Sequence, residues 1–407
     1  MRSKRPLPPS HLSKKKAFCV WLGVGCQLQN VGMTIAWHHC TNLVVIIKNR
    51  LKIAEPRNLG EANKAEMTEY SNYIDKLLTP EIRENAVVLD LFAGCGGLSL
   101  GFEAAGFKTI GYEMVEAAVE TYNQNLKGEC HNQFLTIGFE YPESENIDIV
   151  IGGPPCQPFS RFGNQKGMED ARDGFPIFID AIKRLQPKVF LFENVANILG
   201  RHKWYLDLIV KELQKLGYIV EYRVLNAVNY GVPQNRERLI CVGHRATFRY
   251  PVAEQRKTTV KEAIGDTMLS PEPEDKILTP RQDEYIASYE QKSHCVNPRD
   301  LHPNRPARTI TCRNLAGATS DMQRVHLADG RRRRITDREA ARLQSFPDWY
   351  NFAGNETRRF YQIGNAVPPL LAYKIALQVK KTYHMEQRDP QDIINSMIPQ
   401  DLFEYAN

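Results

Sequence analysis

The chain has 407 residues, enough for one large domain and a smaller one, since a single core stops growing near ~250–300 residues. Hydrophobic content of 42% and charged content of 25% exclude collagen-like, coiled-coil and wholly disordered classes. Lys+Arg 53 against Asp+Glu 47 leaves a net +6, which permits nucleic-acid binding without requiring it, and nine cysteines without C-x-x-C pairs exclude a disulfide framework and a zinc module. The cysteine usage fits a reducing cytosol, and no metal is expected.

Residues 1–66 show no clear periodicity. The run from Ala17 to Trp37 imitates a signal peptide or membrane span, but Gln27, Gln29 and Asn30 interrupt it and leave Ala17–Cys26, too short where ~20 residues are needed. No membrane association is expected. A boundary falls near Met67, which reads as a start site, with residues 1–66 dispensable and foreign to the native protein.

From Met67 the pattern alternates. Strand 87–92, a glycine turn and helix 98–105 are followed by strand 109–113, helix 116–125 and strand 147–151. Helix 174–185, strand 188–193, helix 204–216, strand 219–225 and strand 239–243 complete the series. This predicts an α/β fold, a mostly parallel sheet with helices on both faces and ligands beyond the carboxyl ends of the strands. The pattern breaks down over 245–304. Asp329-Gly330 marks a hairpin turn, Thr336-Asp337-Arg338-Glu339 is a capping box opening a helix that Pro347 ends, and Pro368-Pro369 opens a helix running to about Tyr383. The expected organisation is an extension (1–66), a catalytic and cofactor domain (67–244), a recognition region (245–335), a segment returning to the catalytic domain (336–385) and a tail (386–407).

Two constellations carry chemistry. Strand 87–92 delivers Phe92-Ala93-Gly94-Cys95-Gly96-Gly97 to a helix N-terminus, and Glu113 ends the next strand. The turn lets backbone approach a ligand and the carboxylate can hold both ribose hydroxyls, a nucleoside-binding device that NAD-dependent dehydrogenases share. No hydride-transfer constellation accompanies it. Strand 147–151 ends in Gly152-Gly153-Pro154-Pro155-Cys156-Gln157-Pro158-Phe159-Ser160, placing a thiol at the sheet's active edge. A lone cysteine is more often a buried structural thiol than a nucleophile. The next strand, however, ends in Phe192-Glu193-Asn194-Val195 and puts a carboxyl beside it.

With Gln234-Asn235-Arg236-Glu237-Arg238, Arg305-Pro306-Ala307-Arg308-Thr309-Ile310-Thr311 and Gly364-Asn365-Ala366-Val367-Pro368-Pro369, these segments resemble the ordered motifs of the C5-cytosine-specific DNA methyltransferases of bacterial restriction-modification systems. The resemblance covers Val87 to Lys381. It implies a class I S-adenosylmethionine-dependent fold, Rossmann-like, with a small target-recognition lobe. Cys156 is then the nucleophile at cytosine C6, Glu193 the proton donor at N3, needing a raised pKa that burial beside the base could provide, and Arg238 the residue holding the base's O2. Phe92, Gly94, Gly96 and Gly97 line the S-adenosyl-L-methionine pocket, Glu113 meets the ribose, and Asn365 with Val367 form the far wall. The family's aspartate after the third strand is missing from 134–140, so that either a backbone group or Glu140 substitutes for it or the contact is weaker in this chain.

The implied partner is double-stranded DNA, with the target base flipped out. Ser160–Phe175 is expected to close over that base, Gln157 and Ser160 are candidate DNA contacts, Arg236 is either a DNA contact or half of a surface pair, and Arg331, Arg332 and Arg333 at a hairpin tip are candidate phosphate contacts. A partner restriction endonuclease on the same site, a monomeric state and a prokaryotic cytoplasm with nucleoid association follow from the resemblance. The tRNA-modifying branch shares Pro-Pro-Cys and Glu-Asn-Val, but the Cys-Phe-Thr segment that marks it is absent. A non-catalytic DNA-binding regulator would not need Cys156, Glu193, Arg238 and the glycine turn together.

Overall fold

The structure, a computed structural model, describes residues 67–141, 146–155, 173–294, 299–317 and 321–397. The expectations for residues 1–66, and those for Cys156, Gln157 and Ser160, fall outside the described residues.

Helix α1 (Glu69–Leu77) precedes β1 (Val87–Leu91), α2 (Gly97–Ala104), β2 (Lys108–Glu113), α3 (Glu116–Asn125), β3 (Glu129–Asn132) and β4 (Ile147–Gly152). Next come α4 (Phe175–Leu185), β5 (Val189–Val195), α5 (Lys203–Gln214), β6 (Ile219–Asn226) and β7 (Glu237–His244). Among the described residues these strands form a seven-stranded sheet in the order β3-β2-β1-β4-β5-β7-β6. All neighbours are parallel except β7, which runs antiparallel to both β5 and β6.

Strand periodicity sorts the core. Val87, Leu89 and Leu91 of β1 join Phe190 and Phe192 of β5 on the face covered by Phe178 and Ile182 of α4 and Leu206 and Ile209 of α5. Val88, Val189 and Leu191 point to the other face, under Phe102 of α2 and Leu371, Ile375 and Val379 of α11 (Pro369–Tyr383). Burial on both faces explains the near-continuous apolar runs of the parallel strands.

The expected strands and helices up to β7 are present with ends shifted by one or two residues. Three differences bear on the site. Edge strand β3 was not in the expected series, because Glu129-Cys130-His131-Asn132 is short and polar. Strand β7 begins at Glu237, so Arg238 lies inside it. Phe175, expected within a closing segment, is the buried first residue of α4.

The span 245–335 is structured: α6 (Val260–Ile264), α7 (Pro280–Lys292), α8 (Cys312–Ala316) and the hairpin β8 (Arg324–His326)–β9 (Arg332–Arg334). Its apolar residues Val260, Ile264, Leu315 and Val325 share a core with Leu343 of α9 (Asp337–Leu343) and Ile363 of α10 (Glu356–Asn365). The capping box at Thr336 forms as expected, with Glu339 completing it. Within the expected tail, α12 (Pro390–Met397) buries Ile393. Among the described residues no helix is long and apolar enough to cross a membrane, and no group of three or more His, Cys, Asp or Glu could hold a metal ion.

Candidate active site

A cavity of about 820 Å³ opens at the carboxyl ends of β1, β2, β4 and β5, where a parallel sheet places its ligands, and α10 closes its far side. Phe92, Gly94, Gly97, Glu113, Asn365 and Val367 all line it, as does Glu193. The turn after β1 is tightly built. Phe92 takes a left-handed backbone (φ 61), a conformation that a bulky residue holds only where its surroundings enforce it. Gly97 lies so close to the returning segment that a Cβ there would sit 2.5 Å from the Val367 carbonyl oxygen.

Gly96 sits between Cys95 and Gly97, which both line the cavity. It adopts φ 81 at the N-cap of α2, and a Cβ would strike Leu126 and Tyr122 at 2.7 and 2.8 Å, so its glycine serves the turn. Gln133 and Phe134, immediately beyond β3, line the cavity, whereas Glu140 is not in its wall.

Glu113 is fixed from two sides. Its Oε2 accepts from the Gly94 N–H at 3.0 Å and its Oε1 from the Val115 N–H at 2.8 Å, which holds the carboxylate against the glycine turn. Asp90, one turn deeper, was missed by sequence reasoning, although a charge inside an otherwise apolar strand was the signal. It is 1% exposed, its Oδ2 accepts from the Ser99 hydroxyl at 2.6 Å, and its Oδ1 has no partner. Burial pushes its carboxyl up to about 7, against the opposing Ser99 hydrogen bond and with help from the Glu113 charge.

The β5–β7 edge brings together two of the residues expected at the site. Glu193 faces Ile240 and Arg238 faces Val195 across the β5–β7 ladder, which makes the two charged residues diagonal neighbours on one face. Arg238 Nε lies 2.6 Å from Glu193 Oε1, with both side chains 12% exposed. A Cβ on Gly153 would lie 3.8 Å from Glu193 Oε2, so the carboxyl stands over the Gly-Gly-Pro-Pro turn. Asn194 Nδ2 donates to the Pro154 carbonyl at 3.0 Å, and the Gly174 N–H donates to the Pro155 carbonyl at 2.9 Å. Pro155, the residue before Cys156, lines the cavity. Cys95 does too, but burial pushes its thiol up to about 12, which leaves it protonated and inert at neutral pH.

Two arginine assignments change. Arg236 is fully buried, which removes it from both the DNA surface and the surface pair: its guanidinium donates to the backbone carbonyls of Ile310, Gly364 and Ala366 at 2.6, 3.1 and 2.9 Å. Arg333 is likewise fully buried and binds both oxygens of Glu339 at 2.7 and 2.8 Å and the Thr267 and Ser270 carbonyls at 2.8 and 2.7 Å. Arg332 pairs with Asp283 and Asp300 at 2.7 and 3.2 Å and is 11% exposed. Of the three hairpin arginines only Arg331 stands out, 52% exposed and paired with Asp329 within the turn.

A mostly parallel seven-stranded sheet with β7 antiparallel, carrying a glycine turn after β1 and carboxylates at the ends of β2 and β5, is the fold of class I methyltransferases. The family model of C-5 cytosine-specific DNA methylases matches residues 87–381. The chain is 53% identical over 343 residues to the Type II methyltransferase M.AplI of Arthrospira platensis, covering 84% of this chain and 98% of that one. It is 33% identical to the Type II methyltransferase M.FnuDI of Fusobacterium nucleatum, over 75% of this chain and 97% of that one. Among solved structures, the Entamoeba histolytica methyltransferase EhMeth superposes with a TM-score of 0.58 at 17% identity, over 74% of this chain and 98% of that one. Spodoptera frugiperda DNMT2 does so at 0.56 and 17%, over 74% and 100%; at these identities the likeness is one of fold. The chain belongs to the C-5 cytosine-specific DNA methylase family, and the reaction it performs is methylation of DNA cytosine at C5.

Proposed function

We propose that this protein uses S-adenosylmethionine to methylate one cytosine within a specific duplex site, as the modification enzyme of a restriction-modification system. The observation that carries the site assignment is the Glu193–Arg238 pair, 2.6 Å apart at the rim of a cavity that also holds Glu113 and Pro155. The residues present fit the cofactor. Gly94 has nothing within 4 Å of where a Cβ would stand and so leaves backbone open to a ligand, Glu113 is oriented for two hydroxyls, and the partnerless Asp90 oxygen offers an acceptor to a cation. When bound, S-adenosylmethionine supplies an electrophilic methyl group on a sulfonium.

The chain's own residues then have these roles. The Cys156 thiolate adds to C6 of the flipped base, forming a C–S bond and moving the ring's electron pair toward C5. Glu193 donates a proton toward N3 and so neutralises the charge that the addition displaces, a contribution of typically ~10²–10⁴-fold. Arg238, fixed by Glu193, presents its remaining N–H groups to the base's O2. After methylation, return of the N3 proton to Glu193, loss of the C5 proton to solvent and expulsion of the Cys156 thiolate restore the aromatic ring. Residues 67–244 and 336–385 form the catalytic domain in this reading, and 245–335 the recognition region.

The test is bisulfite sequencing of DNA from cells expressing the wild-type chain and Cys156→Ser. Protection at one short recurring sequence in the wild type alone supports the proposal. Protection that persists in Cys156→Ser, or none in either, overturns it.

A further inference from the structure

Arg236 lies two residues from Arg238, yet it is fully buried. Its partners are backbone carbonyls from two distant segments. Gly364 and Ala366 belong to the C-terminal end of α10, where helix carbonyls lack intrahelical donors, and Asn365 and Val367 of that stretch form the cavity's far wall. Ile310 lies within 245–335, the span read above as the recognition region. A single planar guanidinium therefore ties the cofactor wall to the recognition segment.

The surroundings extend this clamp. Gln344 Nε2 donates to the Ile363 and Ala366 carbonyls at 2.8 and 3.1 Å, and its Oε1 accepts from Gln234 Nε2 at 2.6 Å. Gln234 Oε1 in turn accepts from the Ile310 N–H at 2.8 Å, so Ile310 is held at both its N–H and its carbonyl. Arg236's own N–H donates to Asn226 Oδ1 at 3.0 Å, which anchors it to the end of β6. Arg236, Gln234 and Gln344 are each 0% exposed, so these bonds compete with no water.

We infer that Arg236 is a positioning residue that sets the cofactor wall and links cofactor occupancy to DNA binding through Ile310. The inference rests on the reading of the cavity as the S-adenosylmethionine site. Any shift of 364–367 on cofactor binding changes the same guanidinium that fixes the recognition segment, and linkage requires the effect to run equally in both directions. Lysine cannot replace it, because one ammonium cannot reach Ile310 and the α10 terminus from a common plane.

The test uses the full chain with S-adenosylhomocysteine as calorimetric probe and DNA containing the methylated site, with and without the probe. Arg236→Lys is expected to weaken the probe on the order of tenfold, the equivalent of one lost hydrogen bond to a charged group, and to reduce the probe's effect on DNA affinity. Arg324→Met, which breaks an equally buried arginine cluster with Glu290 and Asp300, is the control and should leave probe affinity within twofold of wild type. If Arg236→Lys fails to fold, Gln344→Met, which removes two carbonyl contacts and adds no charge, carries the same expectation. Wild-type affinity and undiminished coupling in Arg236→Lys, or equal losses in Arg324→Met, overturn the inference. A wild-type chain that does not bind the probe at all overturns the cofactor assignment instead.

Discussion

Asp90 offers a quantitative test of how the cavity floor is built. Its carboxyl is raised from 3.8 to about 7, chiefly by burial. A difference of about 3 units at ~1.36 kcal/mol each is roughly 4 kcal/mol. The sign follows from proton counting. Between pH 4 and pH 7 the folded state holds this proton while the unfolded state has lost it, so stability from this group is full below pH 4 and falls as pH rises to about 7. Asp90→Asn removes the titration and keeps an oxygen that can accept from Ser99. The difference in unfolding free energy, Asp90→Asn minus wild type, should therefore grow with pH by up to about 4 kcal/mol and level off above pH 7. Urea unfolding of both proteins from pH 4.5 to 8 measures it. A pH-independent difference, or one that shrinks as pH rises, would refute the reasoning.

Glu113→Ala should weaken cofactor binding about tenfold or more while Glu193→Gln mainly lowers the rate, by ~10²–10⁴-fold, and calorimetric cofactor titration of both separates the roles; equal losses of affinity would mean that they are misassigned. Arg333→Ala leaves Glu339 buried without its partner and should cost about 3–5 kcal/mol in chemical denaturation, with DNA affinity unchanged in the fraction that folds. A stable variant with weakened DNA binding would return Arg333 to the phosphate contacts. The chain from 67 to 407 should match the full chain in methylation rate and melting temperature, whereas failure to fold would make residues 1–66 structural.

Sequence and structure agree where one rule governs. The β1 run Val87-Val88-Leu89-Asp90-Leu91, the capping box at Thr336 and the Pro368-Pro369 helix start were legible because each is a local pattern. The convergence of Glu113, Glu193 and the glycine turn was legible because parallel strands present their carboxyl ends together. What escaped was tertiary. Arg236 and Arg333 read as surface charges, since nothing in their neighbourhood along the chain announces carbonyl partners 74 to 130 residues away or the Glu339 pair. Edge strand β3 and helix α10 went unseen for lack of an apolar run, although Asn355 caps α10 through the Arg358 N–H in the usual way.

The central claim is a covalent bond from Cys156 to cytosine. Duplex DNA carrying 5-fluorocytosine at the target should trap the wild-type chain in the presence of S-adenosylmethionine, because fluorine cannot leave C5 as the proton does. A denaturing gel should show a shifted protein–DNA band with wild type and none with Cys156→Ser; no band in wild type, or an equal band in Cys156→Ser, would contradict it.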